Sequence, residues 1–377
     1  MLVYGRHKVD DEDIQNVIHA LQSDYLTTGP LVEQFEQKLE NITGSPAVTV
    51  NSGTAALHCA YAAIDLKAGD EVITPPITFI ATQATAAFFG AKIVFADVFP
   101  DTANIDPKCV EEKITTKTKA IVAVDFAGHP ADMDELRKIA DKNSIYLIED
   151  ASHSLGSLYR GKKVGTLADI TTYSFFPTKN ITTAEGGAVC SQNSDLLEIA
   201  KRFARQGLVR DVKKFELEPD GPWHQEVQKF GLNYRLPDVL CALGSSQLKK
   251  LSEFKFKRKK IFDFYNTELS SLTWLNTPAQ REYVDPFWHL YALRVRPEFR
   301  KSLFVFLREA NIGVQVNYLP AYHHPVFKLS GTKAELFPNS ELFYKSEISI
   351  PIHLNLTQTD LDYIVETIHD FSKTLRL

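Results

Sequence analysis

The chain has 377 residues, 44% apolar and 24% charged, which suits a soluble globular protein and excludes collagen-like and disordered readings. Its 42 basic and 47 acidic residues give a net charge of -5, the wrong sign for nonspecific nucleic-acid binding. Cys59, Cys109, Cys190 and Cys241 are scattered and form no C-x-x-C pair, so they read as small buried residues in a reducing compartment, with neither zinc nor disulfides. No signal-peptide core opens the chain, and no run of about 18 apolar residues exists to span a membrane. The expectation is a cytoplasmic protein without a metal.

In chain order, the first residues read as an arm. Asp10 can cap a helix that carries Ile14, Val17, Ile18 and Leu21 at helical spacing. After Thr27-Thr28-Gly29-Pro30 a second amphipathic helix carries Leu31, Phe35 and Leu39 and ends near Gly44. Short β-rich apolar runs then recur at 47–50, 71–74, 92–97, 120–126, 145–149, 170–175 and 187–190. Most are separated by helical stretches such as 54–65, 78–89 and 132–142. That alternation predicts an α/β fold, a seven-stranded and mostly parallel sheet with helices on both faces. In such sheets ligands bind beyond the carboxyl ends of the strands, so the residues directly after each run are the place to look.

Residues 192–250 read as helical with a surface loop at 215–223. The basic run from Lys249 to Lys260 carries Leu251, Phe254 and Phe256, with Phe262 just beyond, and reads as a long linking helix with a partly buried face. The expected boundary falls there: a large unit over 1–250 that includes the arm, and a smaller C-terminal α+β unit over 251–377. The smaller unit reads as helix, strand (290–295), helix (300–310), strand (314–317), loop and closing helix (359–374).

Several nucleotide and hydrolase motifs are missing. No two glycines are separated by one residue, so a G-x-G-x-x-G fingerprint is impossible. Gly156 to Lys163 has P-loop spacing, but Lys163 stands where magnesium binding needs Ser or Thr, so the segment reads as a turn. There is no H-E-x-x-H helix and no G-x-S-x-G elbow.

Three strand ends carry chemistry. Ile148-Glu149-Asp150-Ala151-Ser152-His153 ends a buried strand in two carboxylates; a carboxylate there needs a positive partner, although a helix cap is the plainer reading. Tyr173-Ser174-Phe175-Phe176-Pro177-Thr178-Lys179 places a lysine between apolar strands, where desolvation lowers its pKa and frees a nucleophilic amine for Schiff-base chemistry. Gly186-Gly187 nearby allows close backbone approach. Val50-Asn51-Ser52-Gly53-Thr54 starts a helix with hydroxyls and free N–H groups, a ready anion site or an ordinary cap. Together they supply a phosphate site, an acid for a protonated ring nitrogen and an amine, which is what pyridoxal 5′-phosphate requires.

The sequence resembles fold-type-I pyridoxal-phosphate enzymes, specifically the DegT/DnrJ family of nucleotide-sugar aminotransferases, over essentially its whole length. The carriers are N-S-G-T-A-A-L at 51–57, P-P-I-T-F at 75–79, E-D-A-S-H at 149–153, S-F-F-P-T-K-N at 174–180, T-A-E-G-G at 183–187 and N-Y-R at 233–235. The resemblance implies that Lys179 holds the cofactor covalently and shuttles the proton, and that Asp150 pairs with the pyridine nitrogen. It implies that His153 contacts the ring hydroxyl side and that Phe79 stacks on the ring. Gly53, Thr54 and Ser174 would take the phosphate, joined by Asn233 from the neighbouring subunit of a homodimer. Substrate contacts carried over in the same way are Tyr4, Leu26, Thr27, Asn317, Tyr318, Leu319 and Pro320. The stretches 124–130, 181–187, 221–223 and 242–250 are similar to the branch of pseudaminic-acid synthesis. That branch implies amino transfer from glutamate to the 4-keto position of a UDP-4-keto-6-deoxy-N-acetylhexosamine. Other keto-sugar aminotransferases and a sugar dehydratase share the scaffold. Phe176-Pro177 departs from the His and small residue that many members carry there.

Overall fold

A computed structural model describes the fold of residues 1–330 and 333–375. Its centre is a sheet of β1 (Ala47–Val50), β2 (Glu71–Thr74), β3 (Lys92–Phe95), β4 (Thr118–Val124), β5 (Tyr146–Asp150), β6 (Ile170–Ser174) and β7 (Gly187–Cys190). The strand order is β1-β7-β6-β5-β4-β2-β3. Only β7 runs against the others. This is the seven-stranded, mostly parallel α/β sheet that the alternating pattern predicts. Val50 and Ser174 both stand opposite Gly187, which draws the ends of β1 and β6 together. A Cβ on Gly187 would meet the Ser52 carbonyl oxygen at 2.5 Å, so only glycine permits that approach.

The helices follow their local signals. In α1 (Asp11–Leu21), Asp10 and Asp13 form a reciprocal capping box at 3.1 Å. Helix α2 (Pro30–Thr43) starts on a proline and stops at Gly44, whose φ is 80°. Helix α3 (Gly53–Ala63) is small-residue rich and buried on most sides, with Ala55, Ala56, Cys59, Ala60 and Tyr61 all in the core. Helix α4 (Ala81–Phe88) follows β2. It starts three residues later than the 78–89 pattern implies, because Pro75 and Pro76 lead into an irregular turn that leaves Thr78 and Phe79 at the strand end. Helix α5 (Met133–Asn143) precedes β5, and α6 (Ser194–Phe203) follows β7.

Helix α7 (Asp238–Lys249) packs on α1 and α2. The basic run forms α8 (Leu251–Leu269). Leu251 and Phe254 join the core beneath the large sheet, while Ile261, Phe262, Tyr265 and Leu269 join a second core. Phe256 does not join either; it is exposed, one step off the buried stripe. Carboxylates neutralise much of the run, as in Lys250 to Asp13 at 2.9 Å and Lys259 to Asp263 at 2.7 Å.

The second core surrounds β8 (Leu275–Asn276), β9 (Tyr291–Val295) and β10 (Glu347–Ile350), covered by α9 (Pro297–Glu309) and α10 (Gln358–Thr374). Each fully buried Leu or Ile there contributes about 1.5–3 kcal/mol relative to exposure. Segment 314–317 is not the expected strand. Gln315 alone bridges Ser349, because β10, which the sequence pattern missed, takes the place beside β9. The arm packs here as well: Leu2 pairs with Ile312 and touches this core. Residues 331, 332, 376 and 377 of the expected C-terminal unit lie outside the described residues. The P-loop-like segment is a hairpin, Leu158–Tyr159 with Lys162–Lys163, as a turn reading predicts. Cys59, Cys190 and Cys241 are buried, whereas Cys109 is half-buried. Among the described residues, no helix is long and apolar enough to cross a membrane.

Candidate active site

A cavity of about 510 Å3 opens at the carboxyl ends of the strands. It gathers the three strand ends singled out by the sequence. From β1 and the start of α3 come Ser52, Gly53 and Thr54; from β5, Asp150, Ser152 and His153; from β6 and its following turn, Ser174, Thr178 and Lys179. Phe79, Tyr4, Asn317 and Tyr318 complete the wall from the β2 end, the arm and the segment before β10.

Asp150 is buried and firmly held. Its Oδ1 accepts from the Ser152 amide at 3.2 Å and the Ser152 hydroxyl at 2.6 Å, and its Oδ2 accepts from the Thr82 hydroxyl at 2.8 Å. The Thr78 and Thr82 hydroxyls lie 3.0 Å apart, and the Tyr61 hydroxyl donates to the Thr82 carbonyl at 2.7 Å. Behind the strand, Asp125 and Glu149 are fully buried. Burial pushes Asp125 up to about 7 and Glu149 well above the carboxylate range, so this like-charged pair keeps a proton near neutrality. Asp125 accepts from the Ser154 hydroxyl at 2.6 Å, which ties down the loop that carries His153.

Lys179 follows β6 on a turn anchored by Asn180, whose side chain donates to the carbonyls of His153 at 3.2 Å and Leu155 at 3.1 Å. Burial pushes the Lys179 amine down to about 8, and the charge of Asp150 opposes the shift. A useful share of the amine is therefore uncharged near neutral pH, as the sequence placement predicts.

At the start of α3, Ser52 caps the Ala55 amide at 3.0 Å and leaves the first-turn N–H groups of Gly53 and Thr54 without helical partners. A Cβ on Gly53 would meet the Ser174 Cβ at 2.7 Å. The helix start and the serine hydroxyl are thus in contact, and form one concave donor set suited to an anion.

His153 is buried, with its ring centroid 4.3 Å from that of His289. Burial, then the charge of Lys179, drives it well below the ordinary imidazole range. Its Nε2 lies 3.4 Å from the Tyr318 hydroxyl. Tyr318 packs edge-on to Phe79, with centroids 6.3 Å apart. Asn317 donates to the Tyr4 hydroxyl at 2.6 Å and the Ser349 hydroxyl at 3.1 Å, while its backbone amide donates to buried Glu347 at 2.7 Å.

Other residues named from the sequence lie outside this cavity. Leu26 and Thr27 are exposed on the turn after α1, which Asp238 holds over α7 by accepting the Gly29 amide at 2.8 Å. Leu319 and Pro320 do not line it; they lead to Ala321, whose amide donates to the Pro76 carbonyl at 2.9 Å. Asn233 is exposed and pairs by backbone with Arg205, facing outward. Sequence reading also missed lining residues: Thr78, Thr82, Glu185, Gln315 and His289. The four-residue spacing of Thr78 and Thr82 after a strand could have suggested the pair; nothing local marks His289.

Residues 7–369 match the model of the DegT/DnrJ/EryC1/StrS aminotransferase family. The chain belongs to this family. It is 40% identical over 375 residues to a UDP-4-amino-4,6-dideoxy-N-acetyl-beta-L-altrosamine transaminase of Campylobacter jejuni, covering 98% of this chain and 96% of that one. Its fold is similar to Helicobacter pylori PseC, an aminotransferase involved in the biosynthesis of pseudoaminic acid, with a TM-score of 0.92, 33% identity and coverage of 99% and 100%. A sugar aminotransferase from Streptococcus pneumoniae, in PMP form, matches with a TM-score of 0.93, 29% identity and coverage of 99% and 100%. The family fits the site: an aminotransferase with a half-buried lysine, an anchored aspartate and an anion cradle around one cavity.

Proposed function

We propose that this aminotransferase uses pyridoxal 5′-phosphate to move an amino group from glutamate to the 4-keto position of a UDP-4-keto-6-deoxy-N-acetylhexosamine, in pseudaminic acid biosynthesis in the cytoplasm. The observation that carries the reading is Lys179, its amine depressed to about 8, in one cavity with Asp150 and the Gly53–Ser174 cradle.

The donor set suits the cofactor. Gly53, Thr54 and Ser174 would take the phosphate, Asp150 the ring nitrogen, His153 the ring oxygen side, and Phe79 a ring face. When bound, pyridoxal phosphate supplies an aldehyde that carries the amino group and a ring that takes up electron density. Lys179 would hold the cofactor covalently, and its free amine would move the proton at the carbon that loses or gains nitrogen. Asp150, anchored by Ser152 and Thr82, would hold its carboxylate toward the ring nitrogen. Tyr4, Asn317 and Tyr318 form a wall for the sugar.

Leu26, Thr27 and Asn233 would serve the site of a second copy, which makes the working enzyme a homodimer with units at 1–250 and 251–377. The exposed apolar positions of α1 support that assembly: Ile14, Ile18 and Leu21 recur on helical spacing yet face solvent in the single chain.

The test is an assay with glutamate and the UDP-linked keto-sugar, which should yield the 4-amino sugar and 2-oxoglutarate. A much higher kcat/KM with a TDP-linked keto-sugar would refute the substrate and leave the reaction class standing.

A further inference from the structure

We infer that His289 is a further ligand-contact residue of this site, and that its imidazole hydrogen-bonds an anionic oxygen of the molecule filling the cavity beside His153. This rests on the aminotransferase reading above, which supplies the two candidate sources of that oxygen: the ring oxygen of the cofactor and a carboxylate of the amino donor.

The backbone of His289 is fully committed. Its amide donates to the Ala127 carbonyl at 2.8 Å, and its carbonyl accepts from the Arg258 guanidinium at 3.0 Å. Arg258 also donates to the Trp288 carbonyl at 3.2 Å and to the Thr178 carbonyl at 3.5 Å, one residue before Lys179. One buried arginine therefore fixes both His289 and the lysine turn in a single frame.

The ring is in the opposite condition. It lines the cavity with only 6% of the residue exposed, and it finds no hydrogen-bond partner among the described residues, Nδ1 being enclosed and unpaired. Native interiors rarely leave a buried polar ring unsatisfied without a role for it. Packing against His153 is the plainer reading, but a phenyl ring would pack there without stranding a buried nitrogen.

The electrostatic setting selects the ligand atom. Burial and the neighbouring His153, Lys179 and Arg258 all oppose a proton on His289, so the imidazole stays neutral with one N–H to give. Lys179 and Arg258 place positive charge near the ring, against Asp150 and Glu185 as the acidic groups of the lining. A negatively charged oxygen is the acceptor that suits both the N–H and Lys179 and Arg258, the two cations that act directly on the ring.

The experiment uses full-length apoprotein and titrates pyridoxal phosphate by visible absorbance, then titrates glutamate against the loaded protein. Wild-type protein that takes up no cofactor would sink the aminotransferase reading itself. Given uptake, His289→Phe keeps the planar volume and removes both nitrogens. It should weaken one of the two titrations at least tenfold: the cofactor if its ring oxygen is the partner, glutamate if the carboxylate is. His289→Asn and His289→Gln each return an amide N–H near one ring nitrogen, and one of them should restore binding to within threefold of wild type. Should the phenylalanine variant fail to fold, the amide pair carries the test, with one expected to bind at least tenfold tighter than the other. Wild-type binding in His289→Phe, or equal binding by the two amide variants, would overturn the inference.

Discussion

Around Lys179 the polar groups are anchored from within the chain, whereas the face made by α1, the turn at 26–29 and the segment 205–235 is left open. Inside, Asp150 has its three donors, and Asn180 and Arg258 fix the lysine turn. Outside, a groove of about 610 Å3 is lined by charges such as Glu33, Glu198, Lys201, Arg205 and Arg235, and Phe230 nearby is 95% exposed. The larger hollow is thus not the one that holds Lys179 and Asp150. Of the five named residues absent from the inner cavity, Leu26, Thr27 and Asn233 belong to this outer face, and Leu319 and Pro320 do not. On the proposed reading, Lys179 and Asp150 come from one chain, while Leu26, Thr27 and Asn233 would serve the site of a second copy.

The strongest way to break that comparison is complementation. Lys179→Ala and Asn233→Asp proteins should each lose activity, the first by about 1000-fold or more. Mixed subunits should regain up to about a quarter of wild-type turnover, since half of a two-fold dimer population is hybrid with one intact site each. Confirmed hybrids without activity would mean that each site is built by one chain. Next, Asp150→Asn keeps the shape and removes the charge from the inner region; kcat should fall about 100-fold, roughly 2.7 kcal/mol. Near-wild-type turnover would remove Asp150 from its assigned role.

A smaller effect is expected at the cradle. Gly53→Ala drives a methyl group into Ser174, and the affinity for pyridoxal phosphate should drop about tenfold, or about 1.4 kcal/mol, by absorbance titration. Unchanged affinity would place the phosphate elsewhere. The smallest concerns Glu347, which burial raises to about 8 against its hydrogen bonds from Ser349 and Asn317. A raised carboxyl contributes stability that is full below its unfolded value and is lost as pH rises through the folded value near 8. Glu347→Gln should therefore gain Tm relative to wild type between pH 5 and pH 9, by a few degrees. A constant difference across that range would show that Glu347 is already ionised.

Much of the inner region was legible because it follows local rules. Apolar runs gave all seven sheet strands, and the rule for strand ends pointed to Gly53, Asp150, Ser174 and Lys179. The depressed lysine follows from its place between apolar strands. What was not legible depends on contacts between distant segments. His289 enters the cavity only because Arg258 and Ala127 hold its backbone. Segment 314–317 looked like a strand by composition, yet β10 outcompetes it for the edge of β9. The α1 periodicity reports an apolar face without saying what covers it, and Ile14 and Leu21 on that face are exposed in the single chain.

Lys179 is proposed as the residue that carries the cofactor. Protein loaded with pyridoxal phosphate should be reduced with borohydride, digested and mapped by mass spectrometry. The pyridoxyl label should appear on the peptide containing Lys179, and be absent from a folded Lys179→Ala protein. A label on a different lysine, or an unlabelled wild-type chain, would contradict it.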